Sequence, residues 1–148
     1  MCGKKLKLNA IKTQVLTLGT GKRLQNTNAS VMVHMDGVTL NASNSNVEKL
    51  SGCHLESNLK WHKHFEELVK TLKKRIADLE CIRKFVSYDT RKLIAQRMFT
   101  SVLSYCLPLY SGGNRNSLES LQVLQNKVAR IVTMSPMGTS RKNMFDSL

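Results

Sequence analysis

From Trp61 onward the apolar residues of this chain fall on a helical period, and before it they do not. Trp61, Phe65, Leu68, Leu72, Ile76, Leu79 and Val86 recur at steps of mainly three and four. That spacing lays a single apolar stripe along an amphipathic helix of about six or seven turns. The opposite face carries Lys63, Lys70, Lys73, Lys74, Arg83 and Lys84. A helix striped on one side must bury that stripe against other elements, so the rest of the chain has to supply a cover for it.

Two further helices can do so. Ser87, Asp89 and Thr90 are residues that suit a helix N-cap, and beyond them Ile94, Met98, Val102 and Tyr105 share one face. Pro108 is expected to stop this second helix, because proline cannot donate the next backbone hydrogen bond. Gly112-Gly113-Asn114 reads as a connection. A third helix is expected over residues 117–133, with Leu118, Leu121, Leu124, Val128, Ile131 and Val132 turned inward, ended by Pro136 and Gly138. The tail from residue 135 reads as frayed.

Ahead of Trp61 the pattern is that of short strands. Residues 14–18 read as a strand ended by Gly19-Thr20-Gly21, and residues 26–30 as a polar loop. Val31-Met32-Val33-His34-Met35 and Val38-Thr39-Leu40 flank Asp36-Gly37, a strong hairpin signal because both central positions of a type I′ turn need positive φ. Residues 41–46 form a second polar loop. Residues 48–55 read as one more strand, with Gly52 as a bulge or a close backbone approach. A two-stranded hairpin is marginal in water, so these strands need the helices, or a further sheet, to pack on. The expected fold is α+β, short strands and a hairpin followed by three helices, divided into regions 1–58, 59–134 and a tail 135–148.

Charge decides which partners to consider. In 148 residues there are 23 Lys and Arg against 10 Asp and Glu, a formal net charge of +13. Six of the cations, Lys4, Lys5, Lys7, Lys12, Lys22 and Arg23, precede the first acidic residue. Such an excess attracts polyanions, nucleic acid or an anionic membrane surface. No apolar run approaches the ~18–20 residues needed to cross a bilayer, and the basic N-terminus lacks the apolar stretch of a signal peptide. An intracellular setting, nuclear or cytoplasmic, is expected, and no membrane partner.

Cys2, Cys53, Cys81 and Cys106 form no Cys-x-x-Cys pair. In such a setting they are expected to be reduced and mostly buried. Cys53-His54 with His62 and His64 matches no common structural zinc spacing, so no metal site is expected. Gly-x-Ser-x-Gly, a Cys-His-Asp set and a Walker loop are all lacking, which leaves a small hydrolase without its machinery.

Several segments, in this order, resemble the C-terminal part of reverse transcriptases from non-LTR retrotransposons, the jockey-like and related LINE elements. They are Leu8-Asn9 with Lys12-Thr13, the hairpin around Asp36-Gly37, and Lys49-Leu50-Ser51-Gly52-Cys53-His54-Leu55. They continue with Leu59-Lys60-Trp61-His62-Lys63-His64, Ser104-Tyr105-Cys106-Leu107-Pro108-Leu109-Tyr110, and the Leu121, Gln122, Gln125, Asn126, Arg130 arrangement. The third departs from the family's Tyr-Leu-Gly by the inserted Ser51, and Glu56 stands near the usual Asp. Leu-x-Trp-x-x-His is matched closely, with Trp61 and His64 read as packing residues.

The resemblance implies the end of a polymerase palm, a primer-grip region and a thumb-like helical bundle. It implies an RNA-directed DNA polymerase whose complete form works by two-metal nucleotidyl transfer. The paired aspartates and their two Mg2+ belong to a palm outside this sequence. The aspartates here, Asp36, Asp78, Asp89 and Asp146, are scattered. No cofactor and no catalytic residue is therefore expected of the chain alone.

Lys12 is the residue that, in a complete polymerase, would face the phosphates of the incoming nucleotide, where a cation offsets charge on the leaving pyrophosphate. Lys70, Lys73, Lys74, Arg83 and Lys84 would neutralise the backbone of an RNA or RNA–DNA duplex, joined by Lys127 and Arg130. Glu66, Glu67, Asp78 and Glu80 share the first helix and would pair part of that charge on the surface. A stand-alone basic module for RNA or DNA, and an inactive packing remnant, are the two alternatives to a polymerase fragment.

Overall fold

A computed structural model describes Asn9 and residues 12–26, 32–35, 37–41, 46–112, 114–136 and 138–146. The basic residues Lys4, Lys5 and Lys7, together with Cys2, Leu8, Asp36, Gly113 and most of both polar loops, lie outside the described residues. The chain divides into two compact units, residues 1–63 and 64–148. Its architecture is α+β: two small antiparallel hairpins and a succession of helices.

In the first unit, β1 (Met32–Met35) pairs with β2 (Val38–Asn41), Met35 opposite Val38. Gly37 takes φ +79°, the positive value that an Asp-Gly turn needs at its second position. Across this pair the Thr39 hydroxyl and His34 Nδ1 share a hydrogen bond of 3.0 Å. Nothing lies within 4 Å of where a Cβ on Gly37 would sit. Gly37→Ala should therefore cost backbone strain alone, about 1–2 kcal/mol, read as a lowered denaturation midpoint at unchanged m value.

The single strand expected over residues 48–55 is instead a second hairpin. β3 (Val47–Leu50) turns back at Ser51-Gly52 onto β4 (Cys53–Glu56), with Leu50 opposite Cys53. Ser51 and Gly52 have φ +47° and +87°, two successive positive values that close a two-residue hairpin rather than a bulge. Ser57 N donates to Asn46 O at 2.8 Å and Gly19 N donates to Ser57 O at 3.0 Å. These bonds tie the end of that hairpin to the preceding segments.

The strand expected over residues 14–18 does not form. That stretch has no ladder partner among the described residues and is irregular, and a short helix α1 (Gly21–Asn26) follows it where turn and loop were expected.

Glu56, buried at the end of β4, accepts from Lys63 N at 2.5 Å. Its carboxylate thus satisfies an open N–H in the first turn of α2 (His62–Ile82) and complements the helix dipole there. Leu59 and Trp61, in the connection to α2, both take left-handed φ, +56° and +62°, a costly conformation for bulky side chains. The Leu-x-Trp segment is thus a shaped corner.

The second unit is helical. The stripe on α2 is as expected: Phe65, Leu68, Leu72, Ile76 and Leu79 are buried, and His64 with them. The helix ends at Ile82, so Val86 belongs to the following turn. α3 (Tyr88–Ala95) starts at Ser87, whose hydroxyl accepts from Thr90 N. It runs through a π-helical turn (Gln96–Thr100) into α4 (Ser101–Ser104).

The buried face lies one residue along from the expected one. Ala95, Phe99 and Leu103 are core, whereas Ile94, Met98 and Val102 are only half-buried and Tyr105 is exposed. The offset is the same ahead of the π turn, at Ala95, as beyond it, at Leu103, so it is set where α3 packs and not by the turn. Its carbonyls are served by side chains: Ser101 Oγ donates to Arg97 O, and Arg75 Nη1 on α2 donates to Met98 O at 2.8 Å.

Pro108 does not stop this helix. The break comes earlier, with Tyr105 extended and Cys106 left-handed at φ +57°. Pro108 then sits in the first turn of α5 (Leu107–Tyr110), where its missing N–H costs nothing. α6 (Arg115–Thr133) is capped by the Asn114 side chain, which accepts from Asn116 N at 3.0 Å. It buries Leu121, Leu124, Val128, Ile131 and Val132 as expected, and Ala129 as well. The tail is folded rather than frayed: α7 (Arg141–Asp146) lies against α6 and Met144 is in the core.

Candidate nucleic-acid interface

The solvent face of α2 is built by subtraction. Phe65, Leu68, Leu72, Ile76 and Leu79 occupy one side, and at 3.6 residues per turn the opposite side falls on Lys70, Lys73, Lys74, Ala77 and Cys81. All five are exposed. No carboxylate among the described residues lies within ion-pair distance of the Lys70, Lys73 or Lys74 ammonium group. Three unpaired cations within one helical turn raise the local potential, and the long aliphatic stems let the ammonium groups reach outward.

At the C-terminal end of α2 the charges are partly spent. Glu80 accepts from Arg83 at 3.1 Å and lies 3.8 Å from Lys127 Nζ on α6. One carboxylate therefore gathers two of the cations expected to meet phosphate and leaves the trio with one net positive charge. Lys84, in the turn after α2, is exposed without such a partner among the described residues. Arg130 is half-buried, its Nε enclosed and without a hydrogen-bond partner among the described residues. Gln122 Nε2 donates to Asn126 Oδ1 at 3.1 Å, so part of the amide face of α6 is satisfied internally. Arg83 and Lys127 are brought together; Lys70, Lys73 and Lys74 form a separate group higher on α2.

Lys12 belongs to the first unit. Its backbone N–H donates to Asn9 O at 3.0 Å and to Asn9 Oδ1 at 3.3 Å, and Thr13 Oγ1 donates to Asn9 O at 2.9 Å. Asn9, Lys12 and Thr13 of the Asn-x-x-Lys-Thr pattern thus form one tight turn, which leaves Lys12 exposed.

Of the histidine and aromatic residues in the motifs, His64, Phe65 and Tyr110 pack together, whereas His62 and Tyr105 are exposed and Trp61 is half-buried. His64 is buried with its ring centroid 5.0 Å from Tyr110, and Phe65 meets the same ring edge-on at 5.3 Å. Cys53 is buried, but Cys106 is half-buried and Cys81 exposed, so the cysteines are less enclosed than expected. Among the described residues no group of three or more His, Cys, Asp or Glu side chains gathers to hold a metal ion. No helix among them is long and apolar enough to cross a membrane. A groove of about 220 Å³ between α3, the π turn, α6 and α7 is lined mainly by Ala95, Phe99, Val128, Val132 and Phe145, with Lys92 beside them; it offers no acid–base pair.

Two residues carry more than sequence reasoning assigned them. Arg91 on α3 donates to three backbone carbonyls, Val132 O at 3.0 Å, Arg83 O at 3.1 Å and Val86 O at 2.6 Å. Phe85, between Lys84 and Val86, is 86% exposed. A signal for Phe85 was present, a bulky aromatic among cations just ahead of an N-cap serine, but the helical template assigned its neighbour Val86 to the core and passed over it. Comparison with known protein families, curated proteins and solved structures finds no match to this chain.

Proposed function

We propose that the chain is the primer-grip and thumb-like part of a non-LTR retrotransposon reverse transcriptase, and that its own contribution is to hold an RNA or RNA–DNA duplex by the phosphate backbone. The observation that carries this reading is the exposed, unpaired group Lys70, Lys73 and Lys74 on the solvent face of α2. Lysine is a flexible point charge suited to phosphate and indifferent to sequence. The net charge of +13 supports the same partner. Lys84, Lys127 and Arg83 extend the contact. Arg130, half-enclosed, contributes less. Lys12 serves the nucleotide phosphates only together with a palm and its metal-binding aspartates, so nucleotidyl transfer is not ascribed to the chain alone. The compartment consistent with this role is nuclear or cytoplasmic.

The test is a titration of a short RNA–DNA duplex across a salt series, read by fluorescence anisotropy. Each phosphate contact contributes about 0.9 to the slope of log K against log salt. The triple variant K70A/K73A/K74A should bind more weakly on every duplex sequence and lose about 2–3 from that slope. These side chains are exposed, so the fold is not at stake. An unchanged slope and affinity would refute the reading. Steep binding that favours free duplex and needs no palm would instead support a stand-alone basic module.

A further inference from the structure

Phe85 is the most exposed of the large apolar side chains described, and it is held there firmly. Its own N–H donates to Ile82 O at 2.9 Å. The carbonyls of Arg83 and Val86, on either side of it, are both bound by the Arg91 guanidinium. Ser87 then starts α3 with its hydroxyl on Thr90 N. The loop from 83 to 87 is therefore tied at its amide, at two carbonyls and at its exit, and the phenyl ring is presented to solvent from a fixed base. Isolated exposed apolar residues are ordinary; one clamped on both sides is not explained by a lack of room in the core.

Its neighbours in the chain are cationic. Arg83 and Lys84 precede it, and Lys127 on α6 reaches the same Glu80 that Arg83 does. Glu80 and the exposed Asp89 in the first turn of α3 are the acidic groups nearby in sequence. An exposed phenyl ring that follows two cations in the chain suits a ligand with flat, uncharged rings strung on an anionic backbone. Single-stranded nucleic acid has that chemistry: bases stack on aromatic side chains whatever their identity, while Lys and Arg follow the phosphates.

We propose that Phe85 is a stacking platform for an unpaired base, with Arg83, Lys84 and Lys127 holding the adjoining phosphates. The proposal rests on the nucleic-acid reading above and adds to it a contact for single strands at Phe85; Arg83, Lys84 and Lys127 serve either ligand, and Lys70, Lys73 and Lys74 serve the duplex.

The experiment compares a single-stranded oligothymidylate with a blunt RNA–DNA duplex of equal length, on the full chain and on F85A and F85W. Loss of one base–aromatic stack weakens binding about 5- to 150-fold. F85A should lose that much on the single strand, with duplex affinity and both salt slopes unchanged. F85W should keep single-strand affinity, and its fluorescence should be quenched on saturation beyond the change seen from Trp61 in the native chain. An exposed phenyl contributes little to stability, so both variants should fold. Single-strand binding by F85A equal to the native chain's, or an equal loss on both ligands, overturns the stacking role while leaving the duplex reading intact; the first would point to a protein partner for this ring. If the native chain binds neither ligand, the nucleic-acid reading itself fails and the stacking role with it.

Discussion

Tyr110→Ala is expected to lower the unfolding free energy by about 3–5 kcal/mol, the range for emptying a fully enclosed aromatic site. Tyr110 has 0% exposure. Its ring is met by His64 at 5.0 Å and by Phe65 at 5.3 Å, both from the first turns of α2. Its hydroxyl donates to Leu103 O, a carbonyl in the last turn of α4 that has no partner further along its own helix. Alanine would remove the stacking contacts, leave a void between α2 and α5, and strand that carbonyl. Tyr110→Phe divides the effect: the rings stay and the hydrogen bond goes, at about 1 kcal/mol. Guanidinium denaturation of both variants followed by circular dichroism measures the two terms. With total stabilities of about 5–15 kcal/mol for ordinary domains, the alanine variant should be partly unfolded at physiological temperature. A loss below about 1 kcal/mol for alanine would mean that Tyr110 is not part of the core.

What the sequence disclosed depended on how many residues voted for each element. The stripe of α2 is repeated over five buried positions and that of α6 over more, so an error at one position could not move it. The Asp-Gly hairpin was readable because only a few residue types tolerate its turn. Ser51-Gly52 makes a two-residue turn with a serine in a left-handed conformation, a residue type that does not announce it. Residues 14–18 have strand composition, but strand propensity measures fit to a neighbouring strand, and no ladder partner is present among the described residues. The helix after Ser87 is legible from its cap and its buried face is not, because two apolar stripes one residue apart, Ile94-Met98-Val102 and Ala95-Phe99-Leu103, fit the same period.

Pro108 is ambiguous on sequence alone: proline is forbidden inside a helix and welcome in its first turn, and residues alone do not say which applies. The tail was unreadable because Met144 is one buried residue in a short, polar helix. For the interface, residue type and helical phase together were enough to expose Lys70, Lys73 and Lys74. The ion pair of Lys127 with Glu80 joins residues 47 positions apart, and no local pattern could show it.

Arg91→Ala should cost about 2–4 kcal/mol, the second largest effect expected of a single substitution here and the one that joins stability to the interface. The guanidinium stands where two helices end. Arg83 follows the last residue of α2, and Val132 is the penultimate residue of α6, so Arg91 supplies donors to carbonyls that their own helices leave open, and a positive charge to the negative end of two helix dipoles. The three acceptors are not equal. Arg83 O and Val86 O lie in a surface turn and can be rehydrated when the donor is removed. Val132 is 1% exposed, so its carbonyl would stay buried and unmatched, at about 1–3 kcal/mol for that group alone. The remainder comes from losing charge-assisted bonds and the dipole interaction. Arg91→Lys is the informative companion. A lysine keeps the charge but is a point donor without the planar fork, so it can serve one of the three carbonyls and should recover no more than about half of the loss. Because two of the bonds clamp the residues flanking Phe85, Arg91→Lys should also weaken single-strand binding several-fold while leaving the slope set by Lys70, Lys73 and Lys74 unchanged. Urea denaturation gives the first quantity and anisotropy at two salt concentrations the second. Full stability and full single-strand affinity in Arg91→Lys would show that charge alone matters at this position, and that the clamp on the Phe85 turn is not what holds the ring in place.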